Sequence, residues 1–328
     1  MYDSIRGQMI ADEVYFTLKE KVKEMFGDSV KLNRQEVSKI NRTYDGVTFV
    51  TGAKIAPTLY LDGYVEQVEE GQLDMEEAAT ALMTKFMEHR NDEFDIPKVD
   101  AEHAQKSLYC VALSRERNAE LLQSVPHRDI AGTDLAIVMR WQVQNIENAK
   151  ASFLVKEEHL SAIGMTDAEA FEVAIPNTME LDPYSVESMR DIMRAMGMPE
   201  EMLGAMDGPE MLVIRNKSGV NGATGIFLDK ELRAQISEYY KEEGYSGEFF
   251  ILPSSTHEVI CVPADNTNPK TLEYMIEEVN ETQVLPEEQL GDAPYFCNNK
   301  LQLSMPTLTD SDAMSTVAGE TDSIGAHL

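Results

Sequence analysis

Apolar residues recur at helical spacing near the start of the chain. Val14, Leu18 and Val22 lie on one face of a helix that the pattern predicts over residues 8–26. Gly27 follows the last apolar position, where glycine commonly ends a helix. The chain therefore opens with an amphipathic helix.

Shorter apolar or alternating runs come next and predict strands at residues 36–40, 47–50 and 55–61. Residues 44–46, Tyr-Asp-Gly, have the composition of a tight turn between the first two runs. We therefore expect a β-hairpin with its turn at Asp45 and Gly46, followed by a third strand.

A second helix is predicted to begin at Asp74, because Glu77 lies three residues further on and completes a capping-box pattern. Its apolar stripe runs out near Arg90. The acidic stretch that continues to Pro97 is predicted to be a linker between two parts of the chain.

Two continuous apolar runs, 249–252 and 259–262, are typical of buried strands. Only residues 253–258 separate them, too few for the crossover that parallel strands need. The two runs are therefore predicted to form an antiparallel hairpin with a polar loop at its tip.

These patterns together predict an α+β fold with mixed, largely antiparallel sheets covered by helices. An N-terminal α+β segment is expected over residues 1–97 and a main α+β domain over 98–300. From Leu301 onward small and polar residues dominate without a sustained period, so 301–328 is predicted to be a disordered tail.

The charge of the chain is strongly acidic, with 58 Asp and Glu against 28 Lys and Arg and a formal net charge of −30. Such a field repels phosphates and anionic lipids, which argues against direct binding to nucleic acid or to membranes. Three widely spaced cysteines without CxxC spacing are typical of reduced thiols in a cytosolic protein. A secretory signal and a membrane span are not expected, so the predicted location is the cytoplasm.

One segment, residues 251–259 (ILPSSTHEV), is the most distinctive in the chain, and 221–223 (NGA) precedes it. Shorter similar segments lie at 39–41, 45–46, 57–61 and 278–280. Together they resemble the uncharacterised bacterial family catalogued as domain of unknown function 5688, over nearly all of the first 298 residues. The resemblance implies a bacterial cytosolic protein of one compact architecture, and it carries over no catalytic or binding residue.

The loop 253–258 gathers hydroxyl, imidazole and carboxylate groups. Ser255 and His257 would share a face in an extended strand, so Ser255, His257 and Glu258 are candidates for nucleophilic catalysis. However, there is no G-x-S-x-G motif. The alternative interpretation is a tight hairpin whose side chains satisfy its own backbone amides.

Further candidates for ligand binding are His127, Arg128, Asp129, Asn221 and Ser254. His127 and Asp129 lie in a predicted polar loop, and with His257 and Glu258 they would supply four metal ligands if the two loops met. Arg128 would then suit a carboxylate or phosphate. Because the sequence contains no metal-binding or cofactor-binding motif, we predict neither a metal nor a cofactor.

The favoured functional hypothesis is a non-enzymatic binding or regulatory module whose partner is an unknown protein or a small ligand. One alternative is a hydrolase or metal-dependent enzyme that uses His127 and Asp129 together with Ser255, His257 and Glu258. Another is an acidic decoy that mimics nucleic acid toward a basic protein.

Overall fold

The computed structural model describes residues 2, 4–52, 56–90, 100–146, 149–204 and 208–306. The chain divides into two compact units, Met1–Ile96 and Pro97–Leu328. All strand pairs in the described part are antiparallel, and helices pack on the sheets, so the predicted α+β class is confirmed. In the described ranges, no helix combines the length and the apolar character that crossing a membrane requires.

The first unit is built on one three-stranded sheet in the order β1-β2-β3. Its elements are α1 (Ile5–Phe26), β1 (Lys31–Lys39), β2 (Arg42–Val50), β3 (Thr58–Tyr60), α2 (Asp62–Glu69) and α3 (Met75–His89). The predicted capping box of α3 is confirmed, with Asp74 and Glu77 exchanging side chain to backbone hydrogen bonds. Residue 55, the predicted start of the third strand, lies outside the described residues.

The predicted turn of the first hairpin is wrong, because residues 44–46 lie inside β2 and the strands reverse at Asn41, whose φ is +63°. Tertiary contacts override the turn chemistry of Asp45 and Gly46. The Asp45 carboxylate accepts hydrogen bonds from Arg34 on β1. A Cβ atom on Gly46 would lie 2.6 Å from the side chain of Val37, so the glycine makes room for the facing strand.

We propose that residues 1–97 fold on their own, since this unit has its own core, in which Phe49 stacks on Phe86 with ring centroids 4.2 Å apart. Expressed alone, this segment should unfold in a single cooperative transition on urea titration followed by circular dichroism. The variant Phe86→Ala should lower its free energy of unfolding by about 3–5 kcal/mol. A gradual, non-cooperative loss of signal would contradict the proposed boundary.

The second unit contains two sheets, one in the order β4-β6-β5 with β7 paired to β6, the other in the order β13-β12-β10-β11-β9-β8. Its elements are α4 (Ala101–Ser107), β4 (Leu108–Ser114), α5 (Ala119–Leu122), β5 (His127–Asp129), β6 (Leu135–Ile146), β7 (Ala149–Leu154), α6 (Glu157–Ile163), α7 (Asp167–Glu180), β8 (Tyr184–Ser188), α8 (Met189–Ala195), α9 (Glu200–Gly204), β9 (Leu212–Asn216), α10 (Thr224–Leu228), α11 (Lys230–Glu242), β10 (Phe249–Leu252), β11 (Glu258–Pro263), α12 (Pro269–Thr282), β12 (Tyr295–Cys297) and β13 (Leu303–Ser304).

One core joins the two sheets of the second unit through Trp141, Phe171, Tyr240, Phe249 and Tyr295, all of which are buried. Side chains alternate between the two faces of β6, which explains this arrangement. Trp141 faces the core, and the preceding residue, Arg140, faces the opposite side of the sheet. Helices cover the faces that the sheets leave open.

Residues 127–129 were predicted as a polar loop, but they form β5, which pairs with β6. The prediction fails because β5 is a short edge strand, and charged side chains are common on such strands. His127 and Asp129 are exposed, whereas Arg128 on the opposite side lies over the Phe171 ring, with its guanidinium carbon 4.6 Å from the centroid.

The hairpin predicted from the apolar runs near residue 255 is confirmed, with Phe249 opposite Pro263 and Leu252 opposite Ile260. The predicted start of the tail is too early, because Leu303–Ser304 forms β13 and pairs with β12. Leu301 and Leu303 pack against the core. The prediction failed here because the small and polar residues around these two leucines give no apolar pattern in the sequence. Residues 307–328 lie outside the described residues.

Candidate functional site

Ser255 and His257 are neighbours at the tip of the β10–β11 hairpin. The Ser255 hydroxyl oxygen accepts a hydrogen bond from the backbone N–H of His257 at 3.0 Å. The hydroxyl thus stabilises the turn, as the alternative interpretation of the loop expects. Ser255 also forms an isolated antiparallel bridge with Gln289, which holds the loop against the following segment.

The His257 imidazole connects three separate segments of the second unit. Its Nδ1 accepts a hydrogen bond from the backbone N–H of Asn221 at 3.3 Å, and its Nε2 lies 3.2 Å from a carboxylate oxygen of Glu288. This network assigns the proton to Nε2, because Nδ1 acts as the acceptor. With both nitrogens engaged, the imidazole holds the loop in place, and the geometry favours this role over that of a base for Ser255.

Ser254 and Glu258 flank the same loop. Both line a groove of about 410 Å³ between the hairpin and α12, which also includes Met275 and Val279. Glu258 is exposed and lies opposite Arg215 in the strand register, but the Arg215 guanidinium pairs instead with Glu187 at 3.0 Å. The loop therefore presents polar groups at the edge of a largely apolar groove.

His127, Arg128 and Asp129 have separate surroundings. The His127 ring contacts the Val125 carbonyl oxygen at 3.1 Å, and Asp129 forms an ion pair with Arg115 at 3.0 Å. His127 lines a cleft beside α6, whereas His257 lines the groove beside α12. In the part of the chain that the structure describes, no three His, Cys, Asp or Glu side chains are grouped so as to hold a metal.

Asn221 and Gly222 form the turn that receives the hairpin loop. Asn221 adopts φ of +55°, and a Cβ atom on Gly222 would lie 2.3 Å from the carbonyl oxygen of His257. The next residue, Ala223, donates its N–H to the carbonyl oxygen of Thr256. The turn is therefore packed backbone against backbone, which leaves no room for an anion between the turn and the loop.

Asn221 also lines a cleft of about 400 Å³ that sequence analysis did not identify, here called the Arg140 cleft. It lies where β4, β6 and β7 meet α7, β8 and the β9–α10 turn. Its main polar lining residues are Tyr109, Arg140, Ser152, Asp182, Tyr184 and Asn221. The one signal in the sequence is that Arg140 interrupts the apolar run 135–141.

Arg140 is the cation of this cleft. Its Nε donates to the Ser152 hydroxyl oxygen and its Nη2 to the Ser152 carbonyl oxygen, both at 3.0 Å. Among the residues that the structure describes, no carboxylate pairs with this guanidinium. The Ser152 hydroxyl also contacts the Tyr109 hydroxyl at 3.0 Å. Arg140 is therefore held in one orientation by serine, and its charge remains available to a ligand.

Asp182 supplies the negative charge of the cleft. It is 9% exposed, and its carboxylate accepts hydrogen bonds from the backbone N–H and the hydroxyl of Ser218. Because the Ser218 hydroxyl donates to a carboxylate and not to an imidazole, this pair lacks the imidazole base of a Ser-His arrangement. The Arg140 cleft thus holds one fixed cation and one fixed anion.

Tyr184 and Cys110 complete the wall of the cleft as neutral groups. Burial raises the pKa of the Tyr184 phenol well above its ordinary value, and it raises the pKa of the Cys110 thiol to about 12. Both groups therefore stay protonated at neutral pH, so Cys110 is not a thiolate nucleophile. The Tyr184 ring packs on Gly225, where a Cβ atom would lie 2.4 Å from the ring.

None of the described residues that line the Arg140 cleft is a histidine, and the hydroxyl of Ser218 is engaged by the Asp182 carboxylate. What it offers is a guanidinium, a carboxylate and several hydroxyl and amide groups around a space of metabolite size. This arrangement suits recognition of a small polar molecule.

No curated protein and no solved structure matches the chain. A family of unknown function, DUF5688, has a sequence model that matches residues 12–298. This match confirms the resemblance that segments such as 251–259 indicated. Because the match covers most of its length, the chain belongs to the family of unknown function DUF5688.

Proposed function

We propose that this protein is a non-enzymatic module that binds a small zwitterionic metabolite, such as a free amino acid, in the Arg140 cleft. The observation that carries the proposal is the Arg140 guanidinium, which hydrogen-bonds to Ser152 and has no carboxylate partner among the described residues. A ligand carboxylate would complete the coordination of Arg140. Asp182, in the same cleft, would attract the ligand ammonium group.

The net charge of the chain supports a zwitterion over an anion. A formal charge of −30 disfavours an anionic ligand at a site where a carboxylate accompanies the cation, whereas a ligand without net charge is not repelled there. The screening length in physiological salt is about 8 Å. Once the ligand has entered the cleft, the nearby charges of Arg140 and Asp182 therefore act on it more strongly than the net charge of the chain does. The same acidic field supports our proposal that the protein does not bind nucleic acid directly, and the free, buried cysteines support our proposal that it acts in the cytoplasm.

The proposal is tested by adding each standard amino acid at millimolar concentration and measuring thermal unfolding. A ligand that binds the folded state should raise the unfolding temperature, by an amount equivalent to about 2.7 kcal/mol at one hundred times its dissociation constant. Arg140→Gln should weaken binding of the best ligand by about 10- to 100-fold in calorimetry, because a charge-assisted hydrogen-bonded pair is lost.

Arg115→Gln is the matched control, since Arg115 is exposed and pairs with Asp129 away from the cleft. It should leave ligand affinity unchanged. If no amino acid stabilises the protein, the ligand class is wrong. If an amino acid binds equally well to the Arg140→Gln variant, the location of the site is wrong.

A further inference from the structure

In a second cleft of the second unit, here called the Arg233 cleft, all the charged lining residues are cations. It encloses about 540 Å³ between the turn 130–132, the start of α11 and residues 298–304. Its charged lining residues are Lys230, Arg233 and Lys300, and none of its described lining residues is acidic. In a chain with 58 acidic and 28 basic residues, such a grouping is not expected from composition.

Arg233 is the buried member of this group, with 8% of its surface exposed. Its Nη1 donates to the carbonyl oxygens of Ile226 and Phe227 at 2.7 and 3.1 Å, and its Nε donates to that of Leu301 at 3.2 Å. No carboxylate forms an ion pair with Arg233 within the described ranges. A buried guanidinium bound only by neutral carbonyls lacks compensation for its lost hydration.

One nitrogen of the Arg233 guanidinium, Nη2, differs from the other two. Nη2 makes no hydrogen bond with any described residue. The side-chain polar atoms that are both fully buried and unbonded do not include it, so Nη2 keeps contact with solvent. Burial lowers the pKa of Arg233, and the charge of Asp229, which acts in the opposite direction, offsets this only in part because it forms no ion pair as a counter-ion. An anion placed at Nη2 would provide that counter-ion.

Lys230 and Lys300 lie at the rim of the same cleft. Both are exposed, and neither ammonium group forms an ion pair with a residue that the structure describes. Lys106, by contrast, pairs with Glu102 at 2.9 Å. The two rim ammonium groups and the buried guanidinium thus place three positive charges around one cleft.

The frame around Arg233 is tightly packed. Leu301, whose carbonyl oxygen accepts from Arg233, has φ of +62°, a conformation that leucine rarely adopts. Gly132 packs closely against this segment: a Cβ atom on Gly132 would lie 1.9 Å from the Leu303 carbonyl oxygen. Arg233 is therefore fixed before a ligand arrives, which reduces the entropic cost of binding.

We infer that the Arg233 cleft binds the phosphate group of a small molecule, with Arg233 at its base and Lys230 and Lys300 at its rim. Phosphate is favoured over a single carboxylate because it carries more negative charge and more acceptor oxygens for three cations. The Arg233 cleft shares no lining residue with the Arg140 cleft, so this inference is independent of the proposed amino acid site.

The experiment is isothermal titration calorimetry on the full chain at low ionic strength, with inorganic phosphate, glycerol phosphate and succinate as probes. Lys230→Gln and Lys300→Gln should each weaken phosphate binding by about three- to tenfold, since each removes one partly screened charge. Both lysines are exposed, so neither variant should impair folding. Lys106→Gln is the matched control, with the same change in charge at an exposed lysine on α4, and it should bind phosphate like the unaltered chain.

The probes distinguish the sources of the phosphate group. Tighter binding of glycerol phosphate identifies a phosphorylated metabolite, and tighter binding of inorganic phosphate identifies the free ion. The inference is overturned if neither phosphate binds, if succinate binds as tightly as phosphate, or if the two lysine variants lose no more affinity than Lys106→Gln.

Discussion

Replacing Asp45 with alanine is expected to lower the free energy of unfolding of the first unit by about 3 kcal/mol. Asp45 is 7% exposed, and its carboxylate accepts hydrogen bonds from Nε and Nη2 of Arg34, the shorter at 2.6 Å. This hydrogen bonding raises the pKa of Arg34, as expected when the charged form is stabilised. Without Asp45, a largely buried guanidinium loses its main counter-ion.

The carboxylate and the backbone of Asp45 make further contacts with the surrounding elements. Tyr2 donates its hydroxyl to Asp45 at 3.4 Å, and the backbone N–H of Asp45 donates to the Asp62 carboxylate at 2.9 Å. Asp45 therefore connects β1, β2, the N-terminal segment and the start of α2. Hydrogen exchange of the first unit, measured by mass spectrometry on the intact chain, should become faster in Asp45→Ala by the factor that corresponds to the lost free energy.

Asp12 provides the matched control, since it binds the same guanidinium at 2.7 Å but its side chain is 61% exposed. Asp12→Ala should cost under about 1 kcal/mol, because exposed ion pairs contribute little. The double variant Arg34→Met with Asp45→Ala should be more stable than Asp45→Ala alone if the orphaned charge causes the loss. Equal costs for Asp12→Ala and Asp45→Ala would show that burial of the pair is not the source of the effect.

What could be predicted from the sequence was mostly local. The capping box at Asp74 and Glu77 involves residues three positions apart, and the hairpin near residue 255 involves two adjacent apolar runs. Such features follow from spacing along the chain. The turn assigned to Asp45 and Gly46 failed because Arg34, eleven positions away, uses the carboxylate for a tertiary contact.

The Arg140 cleft could not be predicted in the same way. Arg140 and Asp182 are distant in sequence, and they line one cleft only because β6 and the segment after α7 meet in the folded unit. Conversely, His127 and His257 look alike as loop histidines in the sequence, but they line different clefts. The sequence predicts which side chains are polar and able to bind a ligand. Which of them line the same cleft depends on the order of the strands in the sheets and on which face of each strand is buried.

The hairpin loop and the Arg140 cleft are structurally connected, although sequence analysis treated the loop as a separate site. Asn221 donates its backbone N–H to His257 and also lines the cleft. Asn216, which lines the same cleft, bonds to the backbone of Val220 through both its side-chain oxygen and its side-chain nitrogen. We therefore expect the loop around Ser255 to influence ligand binding through the position of Asn221.

Gly222→Ala tests this connection and should destabilise the second unit. The added Cβ would lie 2.3 Å from the His257 carbonyl oxygen and 2.7 Å from the Asn216 backbone nitrogen. Backbone atoms on both sides must shift, so we expect the second unit to lose about 2–3 kcal/mol of stability. Trp141 is the single tryptophan of the chain and is fully buried in this unit, so its fluorescence during urea unfolding measures the loss.

The displaced turn should also weaken amino acid binding in the Arg140 cleft by about tenfold, since small misplacements of lining groups lose charge-assisted contacts. Gly204→Ala is the matched control: Gly204 belongs to the same unit, has no positive φ, and a Cβ there meets no atom within 4 Å. It should change neither stability nor affinity. If Gly222→Ala unfolds at the same urea concentration as Gly204→Ala, the close approach of the turn to the hairpin is not present in solution. If it is less stable but binds the ligand normally, the turn supports the fold without positioning Asn221 for binding.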